Sequence, residues 1–320
     1  MKLTDLYFEL RGDIGYVEKG IAEAVQCDVA ELESSSQHLL QAGGKRLRPA
    51  LALLCGRFGQ PKNDALYRLA ISLELIHMAT LVHDDVIDDS DTRRGQPTVK
   101  AKWDNRVAMY TGDFILAKAL EQVTTLSNPK IHQQFSRALV EMSIGEIEQL
   151  RDLHSWDQTF RNYLRRIKRK TALLIAVSCQ LGALSSEVGM KDAHHLYRYG
   201  YNLGMAFQIT DDILDYTGDA KKMGKPAGSD LLQGNITLPA LYTYNHPEHG
   251  EKLRQMLEER NGIADEEIIQ YITNHGGIQF SREITMKYLN KSRKALEQLP
   301  AIRTRDTLYN ITQFIEKRNF

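Results

Sequence analysis

Between Leu69 and Leu81 the chain is apolar on almost every side. Leu69, Ile71, Leu73, Leu75, Ile76, Met78 and Leu81 form a stretch longer than a typical strand. It has no sustained polar face, so it predicts a helix buried all round. Val107 to Leu120, Phe135 to Leu150, Leu173 to Leu184 and Leu196 to Leu214 read in the same way. Alternating β-branched runs are missing, and no Asn-Gly turn joins two such runs. Breakers fall between the apolar stretches, at Gly43-Gly44, Gly95-Gln96-Pro97, Asn128-Pro129 and Gly224-Lys225-Pro226. The pattern predicts one all-α domain over residues 1–320, a bundle of about ten or more helices. From about Gly250 the helices are weaker amphipaths to which the sequence attaches no chemistry.

Two of the apolar stretches end in the same acidic pattern. One is Asp84-Asp85-Val86-Ile87-Asp88 and the other is Asp211-Asp212-Ile213-Leu214-Asp215. Carboxylates about 5 Å apart repel by roughly 3 kcal/mol at an effective dielectric near 20. A core helix has no use for such a cluster, so each predicts a gathered cation, and the repeat predicts one shared site. Residues i and i+4 share a helix face, so Asp84 projects with Asp88 and Asp211 with Asp215. Asp85 and Asp212 lie about 100° away, placed for supporting or water-mediated roles. All-oxygen donors suit hard cations, Mg²⁺ above all. Mg²⁺ takes one or two carboxylates together with substrate phosphates. A solvated acidic face is the competing reading, weakened because both clusters follow apolar runs. A general acid–base pair is another, but six carboxylates exceed what proton transfer needs.

Cations flank the first cluster. Gly43-Gly44-Lys45-Arg46-Leu47-Arg48 precedes its helix, and Arg93-Arg94-Gly95 follows it. Arg suits bidentate phosphate binding and Lys binds as a point charge. Beside a metal cluster, Lys45, Arg46, Arg48, Arg93 and Arg94 read as the second wall of a diphosphate site. His77 lies two helical turns before Asp84, on the same face. A further run, Arg165-Arg166-Ile167-Lys168-Arg169-Lys170-Thr171, has no interleaved aromatics. Most of it is expected to face solvent or a partner, with Lys170 and Thr171 starting the next helix near phosphate. Gln208 sits three residues before Asp211 as a neutral hydrogen-bond partner.

Bulk properties exclude several classes. Lys plus Arg and Asp plus Glu both number 41, which argues against nucleic acid as a partner. No apolar run reaches the roughly 18 residues needed to span a bilayer, so no spanning helix is expected. The N-terminus has no basic segment followed by an apolar one, so no signal peptide is expected. Cys27, Cys55 and Cys179 are far apart, without metal-ligand spacing, and read as reduced thiols of a cytoplasmic protein.

Taken together and in this order, these residues resemble the trans-isoprenyl diphosphate synthases. The resemblance runs from about Ser35 to Phe320. It includes Gly43-Gly44-Lys45-Arg46-Leu47-Arg48-Pro49, both Asp-rich motifs, Lys170-Thr171, Phe207-Gln208 and Gly224-Lys225-Pro226. It implies an orthogonal helical bundle around a central cavity. It also implies Mg²⁺-dependent 1'-4 condensation of isopentenyl diphosphate onto an allylic diphosphate. By resemblance, Asp84, Asp88 and Asp211 ligate Mg²⁺, while Asp85, Asp212, Asp215 and Lys170 complete the catalytic set. Arg93, Lys170, Thr171, Gln208 and Lys225 would hold the allylic diphosphate. Lys45, Arg48, His77 and Arg94 would hold isopentenyl diphosphate. Many relatives carry Lys where this chain has Asn235, so no diphosphate role passes to that position.

One helical turn, about 5.4 Å, is comparable to one isoprene unit, so a growing tail first meets Ala79 and Thr80. Both are small, which predicts a long product with a floor near Leu75 and Ile76; small residues that merely permit close helix packing are the alternative. The nearest pattern within the family is that of large catalytic subunits working with a small, dissimilar subunit; a homodimer is the arrangement open to the chain alone. That pattern implies a farnesyl diphosphate starter and an all-trans-heptaprenyl product for the menaquinone side chain. Hexaprenyl and octaprenyl are its neighbours, and product release would involve transient membrane contact. A terpene cyclase would not carry the second Asp-Asp-x-x-Asp motif, and a non-catalytic regulatory subunit typically loses both.

Overall fold

A computed structural model describes residues 9–60, 64–218, 227–258 and 264–318. Lys225, with Gly224 and Pro226, lies outside the described residues. The described chain is helical, as expected. In order it forms α1 (Arg11–Ala24), α2 (Ala30–Gln41), α3 (Leu47–Gly56) and α4 (Asp64–Ile87). A short hairpin of β1 (Thr92–Arg93) and β2 (Gln96–Pro97) follows, then α5 (Val99–Lys102), α6 (Asn105–Thr124) and α7 (Pro129–Asp152). Next come α8 (Phe160–Ile167), a π-helical turn (Lys168–Ala172), α9 (Leu173–Ser185) and α10 (Met190–Thr217). The remaining helices are α11 (Ser229–Leu232), α12 (Leu238–Tyr244), α13 (Gly250–Glu258), α14 (Asp265–Asn274), α15 (Gly277–Leu296) and α16 (Arg303–Lys317).

Every long apolar stretch became a helix, but Val107–Leu120 and Phe135–Leu150 are not buried all round as expected: Tyr110 on α6 and Val140 and Ile147 on α7 face outward. The chain divides into two compact units. One holds Met1–Ser136, Val177–Tyr197 and Leu299–Leu308; the other holds Arg137–Ala176, Arg198–Gln298 and Tyr309–Phe320.

In the first unit, α4 packs against α1, α3 and α6. Leu66, Leu69, Leu73, Leu75 and Ile76 are buried along it. Contrary to the sequence expectation, α4 is long and apolar enough to cross a membrane, since scattered polar residues such as Glu74 leave its mean hydropathy high. It is a core helix here, with 67% of its apolar window buried.

In the second unit, Tyr163, Ile167, Ala172, Met205, Ile209, Ile213 and Tyr216 form a buried cluster with Ile236, Leu238 and Leu241. Gly204 lets α10 approach the π-turn closely. A Cβ there would stand 2.6 Å from the Ala172 Cα.

The hairpin was not foreseen. Its register pairs Thr92 with Pro97 and Arg93 with Gln96. Arg94 and Gly95, both at positive φ (54° and 76°), make the two-residue turn. That is the geometry in which Asn-Gly is usual, and Arg-Gly supplies it without the familiar signature.

Candidate active site

The first acidic motif occupies the last turn of α4. Asp89 takes a left-handed conformation at φ 51°. The Ser90 N–H donates to the Asp85 carbonyl at 2.9 Å and the Asp89 N–H to the Val86 carbonyl at 3.4 Å. This pair of bonds closes the helix as a Schellman motif. Asp84, Asp85 and Asp88 therefore stand at the negative end of the helix dipole, which sharpens their need for cations. The three carboxylates differ. Asp85 is buried, at 2% exposure. It accepts from Arg93 Nε at 2.8 Å and lies 2.7 Å from Nη2. Burial pushes its carboxyl up, and Arg93 opposes that shift. Asp84 is half-buried and Asp88 exposed, the pair on one face that the i, i+4 spacing predicts. Lys100 holds Asp89 and, at 3.5 Å, Asp91.

Beside α4, the glycines before α3 let guanidinium groups crowd together. Gly43 sits at φ 70°, and a Cβ on Gly44 would lie 3.0 Å from Arg94 and 3.1 Å from Arg46. Arg94 donates to the Gly43 carbonyl. Gly43, Arg46, Glu74, His77, Arg93 and Arg94 line one small cleft. Burial, and then the charges of Arg48, Arg94, Arg93 and Arg46, push the His77 imidazole well below its ordinary value. His77 is therefore neutral in a strongly positive setting built for an anion. Arg48 belongs to this setting: burial lowers its pKa, Glu74 opposes the shift and Arg94 reinforces it. Its Nε has no hydrogen-bond partner. Lys45 is exposed.

Arg46, read from sequence as part of the diphosphate wall, gives its hydrogen bonds to carboxylates. It is 8% exposed and donates to Glu74 at 3.0 Å and to Glu18 at 3.3 Å. Glu74, 2% exposed, is the anion that lets this cation sit inside. A lone carboxylate in an otherwise apolar run was the available signal.

The second motif lies in the last two turns of α10. Its carboxylates are used differently. Asp212 is buried and accepts from the Tyr163 hydroxyl at 2.6 Å and from Gln208 Nε2 at 2.8 Å. Burial pushes its carboxyl up to about 7, against those two bonds. The Thr171 hydroxyl donates to Gln208 Oε1 at 2.6 Å. Thr171, Gln208, Asp212 and Tyr163 thus form one chain that fixes the Gln208 amide. Tyr163 was the missing member.

Asp215 stands one turn after Asp211 on the same helix, as the spacing predicts, but its carboxylate is buried. It is 3% exposed and accepts from the Ser229 hydroxyl at 2.9 Å and the Asp230 N–H at 3.1 Å. Its carboxylate holds the start of α11, where unpaired N–H groups attract an anion. Asp211 stays at 35% side-chain exposure and lies 2.6 Å from Arg318 Nη1. Arg318 also covers the Phe207 ring at 5.2 Å. The C-terminal third, to which sequence attached no chemistry, therefore reaches the motif.

Within the basic run before Thr171, Arg166 and Arg169 are folded inward, while Arg165 stays exposed. Arg166 is 5% exposed and donates to Gln158 at 2.7 Å and to the Ile236 carbonyl at 2.6 Å. Arg169 pairs with Glu141 and Glu148, and Arg165 lies 3.8 Å from Glu148. The acidic residues of α7 supplied the counter-charge. Lys170 donates to Gln149 Oε1 at 2.9 Å, leaving two ammonium protons for a ligand. Lys170 and Thr171 do not begin an α-helix; they lie in the π-turn, a feature often found at functional sites.

Ala79, Leu75 and Ile76 are buried on α4, and Thr80 is partly exposed. The Thr80 hydroxyl donates back to the His77 carbonyl at 2.9 Å.

Similarity to known proteins agrees with this geometry. A family model described as polyprenyl synthetase matches residues 29–275. The chain is 48% identical over 320 residues to heptaprenyl diphosphate synthase component 2 of Bacillus subtilis (strain 168), covering all of this chain and 92% of that protein. The crystal structure of heptaprenyl diphosphate synthase from Staphylococcus aureus aligns with a TM-score of 0.90 at 40% identity, covering 100% of this chain and 99% of that one. A polyprenyl synthase from Caulobacter crescentus CB15, solved with calcium and isoprenyl diphosphate, aligns with a TM-score of 0.92 at 32% identity, covering 100% and 98%. With the Asp-rich helix ends and the arginine-ringed cleft, these matches identify the chain as a prenyltransferase of the polyprenyl synthetase family.

Proposed function

We propose that this chain adds isopentenyl diphosphate units to farnesyl diphosphate, with Mg²⁺, to make all-trans-heptaprenyl diphosphate for the menaquinone side chain. The observation that carries the reading is the α4 end, where Asp84 and Asp88 present carboxylates and four arginines surround a neutral His77. An oxygen-only carboxylate set fits a hard divalent ion. Asp84, Asp88 and Asp211 would hold Mg²⁺. When bound, the ions neutralise charge developing on the departing diphosphate.

The chain's own groups do the remaining work. Arg48, Arg94 and His77, with Lys45 from the exposed rim, bind the diphosphate of the attacking substrate. Lys170 places its free ammonium protons on the allylic diphosphate. Arg93 offers its unused N–H groups while it neutralises Asp85. Thr171 and Gln208, fixed through Asp212 and Tyr163, orient that half of the machinery; Lys225 would join them. Preorganised donors of this kind are usually the largest catalytic contribution. The allylic C–O bond breaks, the double bond of isopentenyl diphosphate forms the new C–C bond, and the released diphosphate takes the proton. No strong protein base is needed.

A single synthase domain over residues 1–320 and a cytoplasmic location go with this reading. The relative named component 2 implies a further component, and a small dissimilar subunit is the partner we infer. Val140, Ile144 and Ile147 on α7, at 59%, 41% and 58% exposure, give an apolar stripe that a subunit would cover.

The test is Mg²⁺-dependent diphosphate release from farnesyl and isopentenyl diphosphates, with and without the partner. Chromatography of the dephosphorylated product then gives the length. No release with the partner present rejects the catalytic reading. Ala79→Tyr should shorten the product; an unchanged length rejects the tail path past Ala79.

A further inference from the structure

The turn between α12 and α13 holds imidazoles that the proposed reaction does not use. It reads Asn245-His246-Pro247-Glu248-His249-Gly250. One donor atom each from His246, Glu248 and His249 lies within 4.8 Å of the others. The His246 and His249 rings stack at 4.7 Å between centroids and 17°. The turn is pinned by several bonds. The Gly250 N–H donates to the His246 carbonyl at 2.9 Å and the Leu253 N–H to the His249 carbonyl at 3.1 Å. The Tyr271 hydroxyl donates to the same His249 carbonyl at 3.3 Å. Pro247 fixes its own φ between the two histidines.

A third imidazole supports the group. His275 stands edge-on to His249, with centroids 4.7 Å apart. Its Nδ1 donates to the Tyr271 carbonyl at 2.7 Å, which leaves Nε2 as the acceptor. Tyr271 stacks on the His275 ring at 3.9 Å. That bond fixes the His275 ring against the turn.

We propose that His246, Glu248 and His249 form a second divalent-metal site. Two imidazoles and one carboxylate select a late first-row ion such as Zn²⁺ over Mg²⁺ and leave room for water. None of the Asp-rich carboxylates belongs to it. The His246 Nδ1 currently accepts from the Glu248 N–H at 3.3 Å. An ion can displace so long a contact. His275 would support His249 and tie the turn to the end of α14.

The experiment uses the tag-free, metal-stripped full chain in excess Mg²⁺, so that the Asp-rich motifs are occupied. Zn²⁺ is titrated calorimetrically, and Co²⁺ is followed by its visible absorption. One equivalent per chain is expected, with a Co²⁺ band typical of nitrogen and oxygen ligands. His249→Ala should weaken binding at least about tenfold, Glu248→Gln by less, and Asp84→Asn not at all. Absence of Zn²⁺ binding in the wild type overturns the proposal. So does unchanged affinity in both His246→Ala and His249→Ala. Should circular dichroism show that the histidine variants do not fold, Glu248→Gln decides, because its exposed side chain is dispensable for folding. Wild-type affinity in that variant overturns the site.

Discussion

The two Asp-rich motifs share one spelling and divide their carboxylates differently. At the end of α4 one of three is buried, Asp85, neutralised by Arg93. In α10 two of three are buried: Asp212 in a hydrogen-bond chain and Asp215 at the start of α11. The first motif keeps an i, i+4 pair, Asp84 and Asp88, with solvent access. The second presents Asp211 alone, beside Arg318. The surroundings make the difference. A hairpin follows the first helix and supplies a cation, whereas N–H groups and a tyrosine follow or flank the second and draw carboxylates inward.

Substitutions can break this comparison. The largest effect is expected at Asp84: Asp84→Asn should lower turnover by about 10²-fold or more with little change in melting temperature. Asp215→Asn should do the reverse, costing about 1–3 kcal/mol of stability; a folded, stable Asp215→Asn chain with no turnover would make the two motifs equivalent. Next comes Arg93→Ala, which strands a buried Asp85 charge and should cost about 3 kcal/mol in denaturant unfolding. Asp85→Ala placed in the same chain should restore part of that loss.

A smaller effect concerns pH. The Asp212 carboxyl stands at about 7 in the fold against an ordinary 3.8. The folded state therefore holds a proton that the unfolded chain has lost, and this contribution to stability falls as pH rises from about 4 to about 7. Asp212→Asn should flatten that part of the melting-temperature profile, measured without divalent ions. The smallest change is Arg318→Ala. A partly exposed ion pair contributes at most about 1 kcal/mol, so stability should barely move. Metal affinity at Asp211 should rise slightly; a large loss of either would give Arg318 a larger role than counter-ion.

Much of this was legible in the sequence. The apolar stretches fixed the helices, since a residue such as Leu73, buried on a helix apolar all round, has no strand alternative. Asp84 and Asp88 were placed by helix periodicity alone. His77 and Arg94 were found by proximity in sequence to the motif, and the fold places both on one cleft. The failures have physical causes. Asp215 obeys the same periodicity, but α11 bonds it, and a partner 14 or 15 residues later leaves no local mark. Tyr163 is 49 residues from Asp212. Arg166 and Arg169 looked solvated because their carboxylates and carbonyls lie elsewhere in the chain. The Arg94-Gly95 turn was missed because Arg seldom takes a positive φ.

The π-turn at Lys168–Ala172 has a consequence for how this region can change through mutation. One extra residue is accommodated there within a run of otherwise continuous helix. Loss of a single codon between Phe160 and Ala172 would let the run relax to an ordinary α-helix. The helical segments on either side would keep their phase, because the residue lost is the one the π-turn had absorbed. What changes is the turn itself, so Lys170 and Thr171 would have to point elsewhere. Point substitutions can be tested one side chain at a time, but a one-residue deletion here removes the wide turn that presents Lys170 and Thr171 together. Natural variation in this stretch should therefore consist of exchanges, with its length held constant.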